Sequence, residues 1–233
     1  MATSGTAIFN LDLVELVEEA FERCGAELRS GYDLKTARRS LNLLFADWAN
    51  RGVNMFTFEQ GAITLVPGTA TYTLPADTVD LLEHVIRTGA GNAATQADLT
   101  ITRISVSTYA TIPNKLTQAR PIQVWIERLQ PTPQITVWPV PDNSQTYTFV
   151  YWRMKRIDDA GEGVNTMAVP FRFIPCMVAG LAYYLAMKIP GGLERLMVLK
   201  QQYDEAWQLA SDEDREKASV RFVPRQMFIG SST

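Results

Sequence analysis

Apolar residues recur at helical spacing at both ends of the chain and alternate with polar ones in between. From Leu11 to Leu28, Val14, Val17, Phe21, Cys24 and Leu28 stand three or four apart and share one helical face, while Glu15, Glu18, Glu19 and Glu22 fall off it. Asn10 is the expected N-cap. Gly31-Tyr32-Asp33 interrupts the pattern, with Asp33 as the expected next cap. Leu34, Ala37, Leu41, Leu44 or Phe45, and Trp48 then carry a second helix to Asn50. Gly52 suits its C-terminus, because glycine accepts the left-handed backbone found there. A connection this short predicts antiparallel packing of the two helices.

From Met55 to Arg156 the period changes to two. Ile63 and Leu65 lead into Pro67-Gly68, and Thr71 to Leu74 follows, which predicts a hairpin. Leu81 to Arg87 and Asp98 to Ile104 flank the loop signal Gly89-Ala90-Gly91-Asn92. Ile122, Val124 and Ile126 alternate with Gln123, Trp125 and Glu127. Ile135 and Val137 form a short strand between prolines, and Tyr147, Phe149 and Tyr151 alternate with Thr148, Val150 and Trp152. Six or seven short antiparallel strands are predicted, in a small sandwich or open barrel.

Helical spacing returns near Val169. Pro170 to Lys188 is apolar nearly all round, so it belongs at the centre of a bundle. Pro190-Gly191-Gly192 breaks it, and Leu196, Leu199, Tyr203, Ala206 and Ala210 give a last helix, from Leu193 to Lys217, its inner face. The expected fold class is therefore α+β. Residues 1–53 and 169–218 would form a four-helix bundle from both chain ends, with an antiparallel β-rich domain inserted at 54–168. Residues 219–233 would form an extended C-terminal arm.

Composition narrows the function. The 233 residues are 46% hydrophobic and 20% charged, as in an ordinary globular protein, and the net charge of −3 argues against a dedicated nucleic-acid binder. Charge is unevenly spread: residues 1–31 carry six acids and two bases, residues 33–52 two acids and four bases. No basic segment followed by an apolar run opens the chain, so no secretory signal is expected. The most apolar stretch, Phe173 to Met187, lies between Arg172 and Lys188 and falls short of the roughly 20 residues that span a bilayer. Cys24 and Cys176 lie far apart in apolar helical surroundings, which predicts buried thiols rather than a disulfide framework.

Catalytic chemistry finds little purchase. The single histidine, His84, has no second imidazole to share a metal with and reads as a surface or edge-strand residue. No GxSxG, P-loop or GxGxxG is present. Asp158-Asp159 and Asp212-Glu213-Asp214 are the remaining candidates for acid–base work, and both read as solvated charge clusters. No enzymatic activity, metal or cofactor is expected. Trp125, Trp138 and Trp152, near Arg128 and Arg153, are candidates for stacking on nucleic acid or glycan, or for filling a core or protein interface.

Four stretches, in order, carry a family resemblance. They are Leu43-Leu44-Phe45-Ala46-Asp47-Trp48 with Arg51-Gly52, then Met55-Phe56-Thr57-Phe58-Glu59. Gly68 with Tyr72-Thr73-Leu74-Pro75-Ala76-Asp77 follows, and then Ala182-Tyr183-Tyr184-Leu185-Ala186-Met187-Lys188 with Tyr203 and Ala206. Together they resemble the podoviral head-to-tail adaptors, also called tail tubular protein A-like or head–tail connector proteins. The resemblance spans about residues 10 to 217. It implies a virion protein at the head–tail interface, assembled in the host cytoplasm. It further implies a dodecameric ring of this chain beneath the portal protein, with genomic DNA passing through its channel and nozzle or tail-fibre proteins attached below. It also implies a C-terminal tail that docks on the portal. Val220, Arg221, Phe222, Val223, Arg225, Met227, Phe228 and Ile229 are the residues expected to do so, and the six apolar ones among them are too greasy for a free tail. The alternative is that this tail folds back on its own helices.

Overall fold

A computed structural model describes residues 5–52 and 55–214. Helix α1 (Leu13–Cys24) starts two residues later than the sequence implies, because Asp12 and not Asn10 caps it. The Asp12 carboxylate accepts from the Glu15 amide and the Glu15 side chain accepts from the Asp12 amide, the reciprocal arrangement that satisfies two otherwise orphaned donors. The helix also ends early. Gly25 adopts φ +78°, and its N–H turns back to the carbonyls of Phe21 and Glu22, so Leu28 lies beyond the helix. Helix α2 (Gly31–Asn50) is capped by Ser30, with Asp33 one turn inside it, and Gly52 follows its end at φ +82°.

The central block holds eight strands in two four-stranded sheets. These are β1 (Phe58–Thr64), β2 (Thr71–Thr73), β3 (Thr78–Thr88), β4 (Ala97–Thr100), β5 (Thr102–Ile104), β6 (Gln123–Glu127), β7 (Gln134–Trp138) and β8 (Tyr147–Lys155). One sheet runs β1-β8-β3-β4, the other β2-β7-β6-β5. Three expectations are corrected by the strand order. The first is the hairpin across Pro67-Gly68: β1 pairs with β8 and β2 with β7, in different sheets. The segment between them crosses from one sheet to the other, held by the Tyr72 hydroxyl, which donates to the Thr69 and Val66 carbonyls and accepts from the Val66 amide. The second is the all-antiparallel sheet: β5 and β6 are parallel. Parallel neighbours need a crossover, supplied by the short helix α3 (Val106–Ala110) and the loop after it. The expected loop joins β3 to β4 with Gly89 and Gly91 at positive φ, but the third correction follows it: the strand expected over Asp98 to Ile104 divides at Ile101 into β4 of one sheet and β5 of the other. Leu81 and Ile86, Val124 and Ile126, Ile135 and Val137, and Tyr147, Phe149 and Tyr151 bring both sheets into one apolar cluster.

Two further helices follow, α4 (Ile174–Ala186) and α5 (Leu196–Glu213). Ten of the thirteen α4 residues are buried, because it packs against α1, α2 and α5 together. A single core therefore joins residues from both ends of the chain, including Leu16 and Phe21, Leu41, Leu44 and Trp48, Met177 and Leu181, and Leu199 and Tyr203. At its centre the Trp48 indole N–H donates to the Tyr203 hydroxyl at 3.1 Å. Gly180 lets three helices meet there. A Cβ at that position would lie 2.9 Å from both Leu44 Cδ2 and Tyr203 Cε2. Cys24 and Cys176 are buried free thiols; desolvation raises them to about 11 and about 12, and Cys24 Sγ donates to the Ala182 carbonyl. The segment returning from the β block clasps the start of α1, with an isolated bridge between Asp12 and Thr166. The Leu13 and Val14 amides, which no helix carbonyl can reach, donate to Asn165 and Gly163 at 3.0 and 3.3 Å.

Candidate interaction surfaces

Charged residues flank the two apolar cores in distinct ways. At the end of β8, Arg153 is 7% exposed yet fully engaged. Its guanidinium donates to Glu59 and Asp77 carboxylates and to the Thr78 hydroxyl, tying the ends of β1, β8 and β3 together. The Asp77 carboxyl is held below its ordinary range chiefly by the hydrogen bond from Arg153. Asp80, on β3, receives Arg103 from β5 at 3.0 Å and also Arg128, so one carboxylate bridges the two sheets. The bases nearest the strand tryptophans are therefore committed to internal ion pairs.

The tryptophans are half-buried. Trp125 stacks on Tyr109 of α3, with ring centroids 5.0 Å apart. The Trp138 indole donates to the Asn114 carbonyl at 3.1 Å. The crossover thus covers the Trp125 face that stacking on a base or sugar would need, and it ties down the Trp138 edge. Trp152 sits mid-strand on β8, opposite Gln60 and Glu83.

His84 is corrected from the surface or edge reading. It lies on β3, paired with Tyr151 of β8, and its ring stacks on Phe149 with centroids 6.0 Å apart. Both ring nitrogens are buried without a hydrogen-bond partner. Desolvation lowers its pKa, helped by Arg103 and opposed by Glu83. Asp158 and Asp159 are exposed after β8. In the second acid cluster, Glu213 pairs with Arg172 at 3.0 Å and Asp212 accepts from Gln208 at 3.1 Å. The structure does not bring the two clusters together into one site. Among the described residues, no three His, Cys, Asp or Glu side chains gather as a metal site would need, and no helix is long and apolar enough to cross a membrane. Val220, Arg221, Phe222, Val223, Arg225, Met227, Phe228 and Ile229 lie outside the described residues.

Two surfaces emerge that residue-by-residue reading passed over. A groove of about 430 Å³ runs between α1 and α4, with Ile174, Pro175 and Val178 on its floor and Glu15, Glu18 and Glu22 along its rim. On α2, Lys35, Arg38 and Arg39 are exposed on one face. The signal for both was the change of charge sign between the first and second helices.

One comparison with known proteins decides the family. The model for the SU10 adaptor protein family matches residues 12–225, nearly the whole chain. The chain belongs to the SU10 adaptor family. It is thereby a phage adaptor, of a family that is structural rather than catalytic, and a component of the virion. An adaptor of this family engages other head or tail proteins of the phage. The head-to-tail adaptor resemblance seen in the sequence agrees with this membership. No curated protein matches the adaptor.

Proposed function

We propose that this adaptor is one copy of a ring, dodecameric in the resembling family, that sits beneath the portal, continues the DNA channel and carries the tail. The family match over residues 12–225 supports this reading. The helical parts, 1–53 and 169–218, act as the body of each subunit. The β block, 54–168, is the inserted unit that offers a platform to nozzle or fibre proteins. The segment 219–233 docks on the portal through Val220, Phe222, Val223, Met227, Phe228 and Ile229, with Arg221 and Arg225 supplying charge. Burying these apolar side chains in a groove would offset a large part of the cost of ordering the tail, at about 25 cal/mol per Å2 of apolar surface.

The channel works by not binding. Each phosphate that a wall residue neutralises adds affinity and therefore drag, so weakly charged or acidic walls let DNA slide. The test is a chain ending at Ala218, mixed with portal rings and followed by native mass spectrometry and electron microscopy. The truncated chain should keep its melting temperature and lose portal binding. Undiminished binding would refute the docking arm. A full-length chain that never associates with portal or itself would refute the ring.

A further inference from the structure

The adaptor's first two helices present opposite charge, and among the described residues most of it is left unpaired. On α1, Glu15, Glu18 and Glu22 are exposed beside the groove whose floor is Ile174, Pro175 and Val178, and Phe9 stands at its lip, 75% exposed. Of the acids on that helix, Glu19 is the one in an ion pair among the described residues, with Arg23 at 2.8 Å. On α2, Lys35, Arg38 and Arg39 are exposed at helical spacing, and in line with them Tyr32 and Leu43 are 76% and 54% exposed. Among the described residues, neither these three bases nor Glu18 and Glu22 form an ion pair.

We infer that the α2 face of one copy seats in the α1–α4 groove of the next, and that this contact is the ring's repeating joint. The inference rests on the ring reading above and names the two surfaces that build it. Each half combines apolar residues with an excess of one sign of charge, the groove's Arg23 being taken up by Glu19. Tyr32 and Leu43 match the floor of the groove, and Lys35, Arg38 and Arg39 match Glu15, Glu18 and Glu22. Every copy carries both halves on different helices, so the contact is heterologous, the kind that repeats from copy to copy around a ring when its rotation closes. Complementary fields also fix orientation and disfavour the reversed pairing, where acid would meet acid. DNA is a weaker occupant of the α2 face, since phosphates would take the three bases but leave Tyr32 and Leu43 in water.

The experiment uses full-length chains. Glu18→Lys/Glu22→Lys and Lys35→Glu/Arg39→Glu change only exposed positions, and circular dichroism should show both folded as wild type. Assembly is read by analytical ultracentrifugation and by negative-stain microscopy, with and without portal, at low and high salt. Each variant alone should remain monomeric where wild type forms rings. An equimolar mixture of the two should assemble again, because every joint can then pair acid with base, and so should the chain carrying all four changes. If wild type forms rings and each single variant does too, the assigned faces are wrong while the ring stands. A wild type that stays monomeric even with portal removes the ring and this joint together. Intact rings of Lys35→Glu/Arg39→Glu that have lost DNA binding would make the α2 face a nucleic-acid surface and overturn the proposal.

Discussion

Substituting Gly180 tests how tightly the helical core is closed. In an isolated helix, Gly→Ala is favourable by about 0.8–1 kcal/mol. Here the new methyl would meet Leu44 Cδ2 and Tyr203 Cε2 at 2.9 Å and Leu44 Cδ1 at 3.0 Å. Neither neighbour can give way easily. Leu44 is fully buried, and the Tyr203 ring is held by the Trp48 indole at 3.1 Å and by stacking on Tyr183. Overpacking of this kind costs about 1–3 kcal/mol, so the steric term wins, and Gly180→Ala should destabilise by about 1 kcal/mol. Leu44→Ala alone should cost about 2–5 kcal/mol through the cavity it leaves. In the double variant the methyl added by Gly180→Ala partly fills that cavity, so the two costs should fall short of additive by about 1 kcal/mol. Urea unfolding of wild type, both single variants and the double variant measures all three quantities. A Gly180→Ala protein more stable than wild type, or strict additivity with Leu44→Ala, would refute the claim that three helices converge on this position.

Tyr203→Phe leaves the Trp48 indole N–H buried without an acceptor and should cost about 1–3 kcal/mol in urea unfolding; a change near zero would mean water replaces the hydroxyl. His84 has a folded pKa below its unfolded value near 6.5, so the unfolded chain takes up the proton first. Stability is then retained above about pH 6.5 and lost as pH falls toward the folded pKa. Melting curves between pH 7 and pH 5 should show that loss, and His84→Phe should flatten it. Arg153→Met should raise the Asp77 pKa, because the guanidinium is its main source of depression. Carbon-13 NMR titration of the Asp77 carboxyl reads this directly, and an unmoved pKa would show that Arg153 is not the cause. Asp77 itself contributes stability above its unfolded pKa near 3.8 that is lost as pH falls further.

Much of the fold was legible because its strongest signals are local. The α4 segment is apolar on every face, and ten buried positions follow from that composition alone. The alternation of Val124 and Ile126 with Trp125, and of Tyr147, Phe149 and Tyr151 with their neighbours, marks strands buried on one side. The errors fall where partner choice is non-local. Pro67-Gly68 does form a turn, with Gly68 at φ +80°, yet the strands on either side pair with β8, at least 84 residues away, and β7, at least 61 residues away. The parallel β5–β6 pair was hidden because its crossover holds only five helical residues, too few for a periodic signal. His84 was misplaced since nothing in its sequence neighbourhood announces that Phe149 will lie beneath its ring. Of the surfaces, the sign reversal between residues 1–31 and 33–52 was visible, but not that α1 and α4 would enclose an apolar floor between the acids.

The central burial of α4 also dictates an order of events during synthesis. When α1 and α2 leave the ribosome, the helix against which they bury Leu16, Phe21, Leu41 and Trp48 has not been translated. The β block, whose strands all lie between residues 58 and 155, has every pairing partner available first. The nascent chain must therefore carry a greasy N-terminal helical pair through the making of more than a hundred residues, shielded by chaperones or by transient self-contact. Slowing translation just before Ile174 lengthens that vulnerable interval and should lower soluble yield.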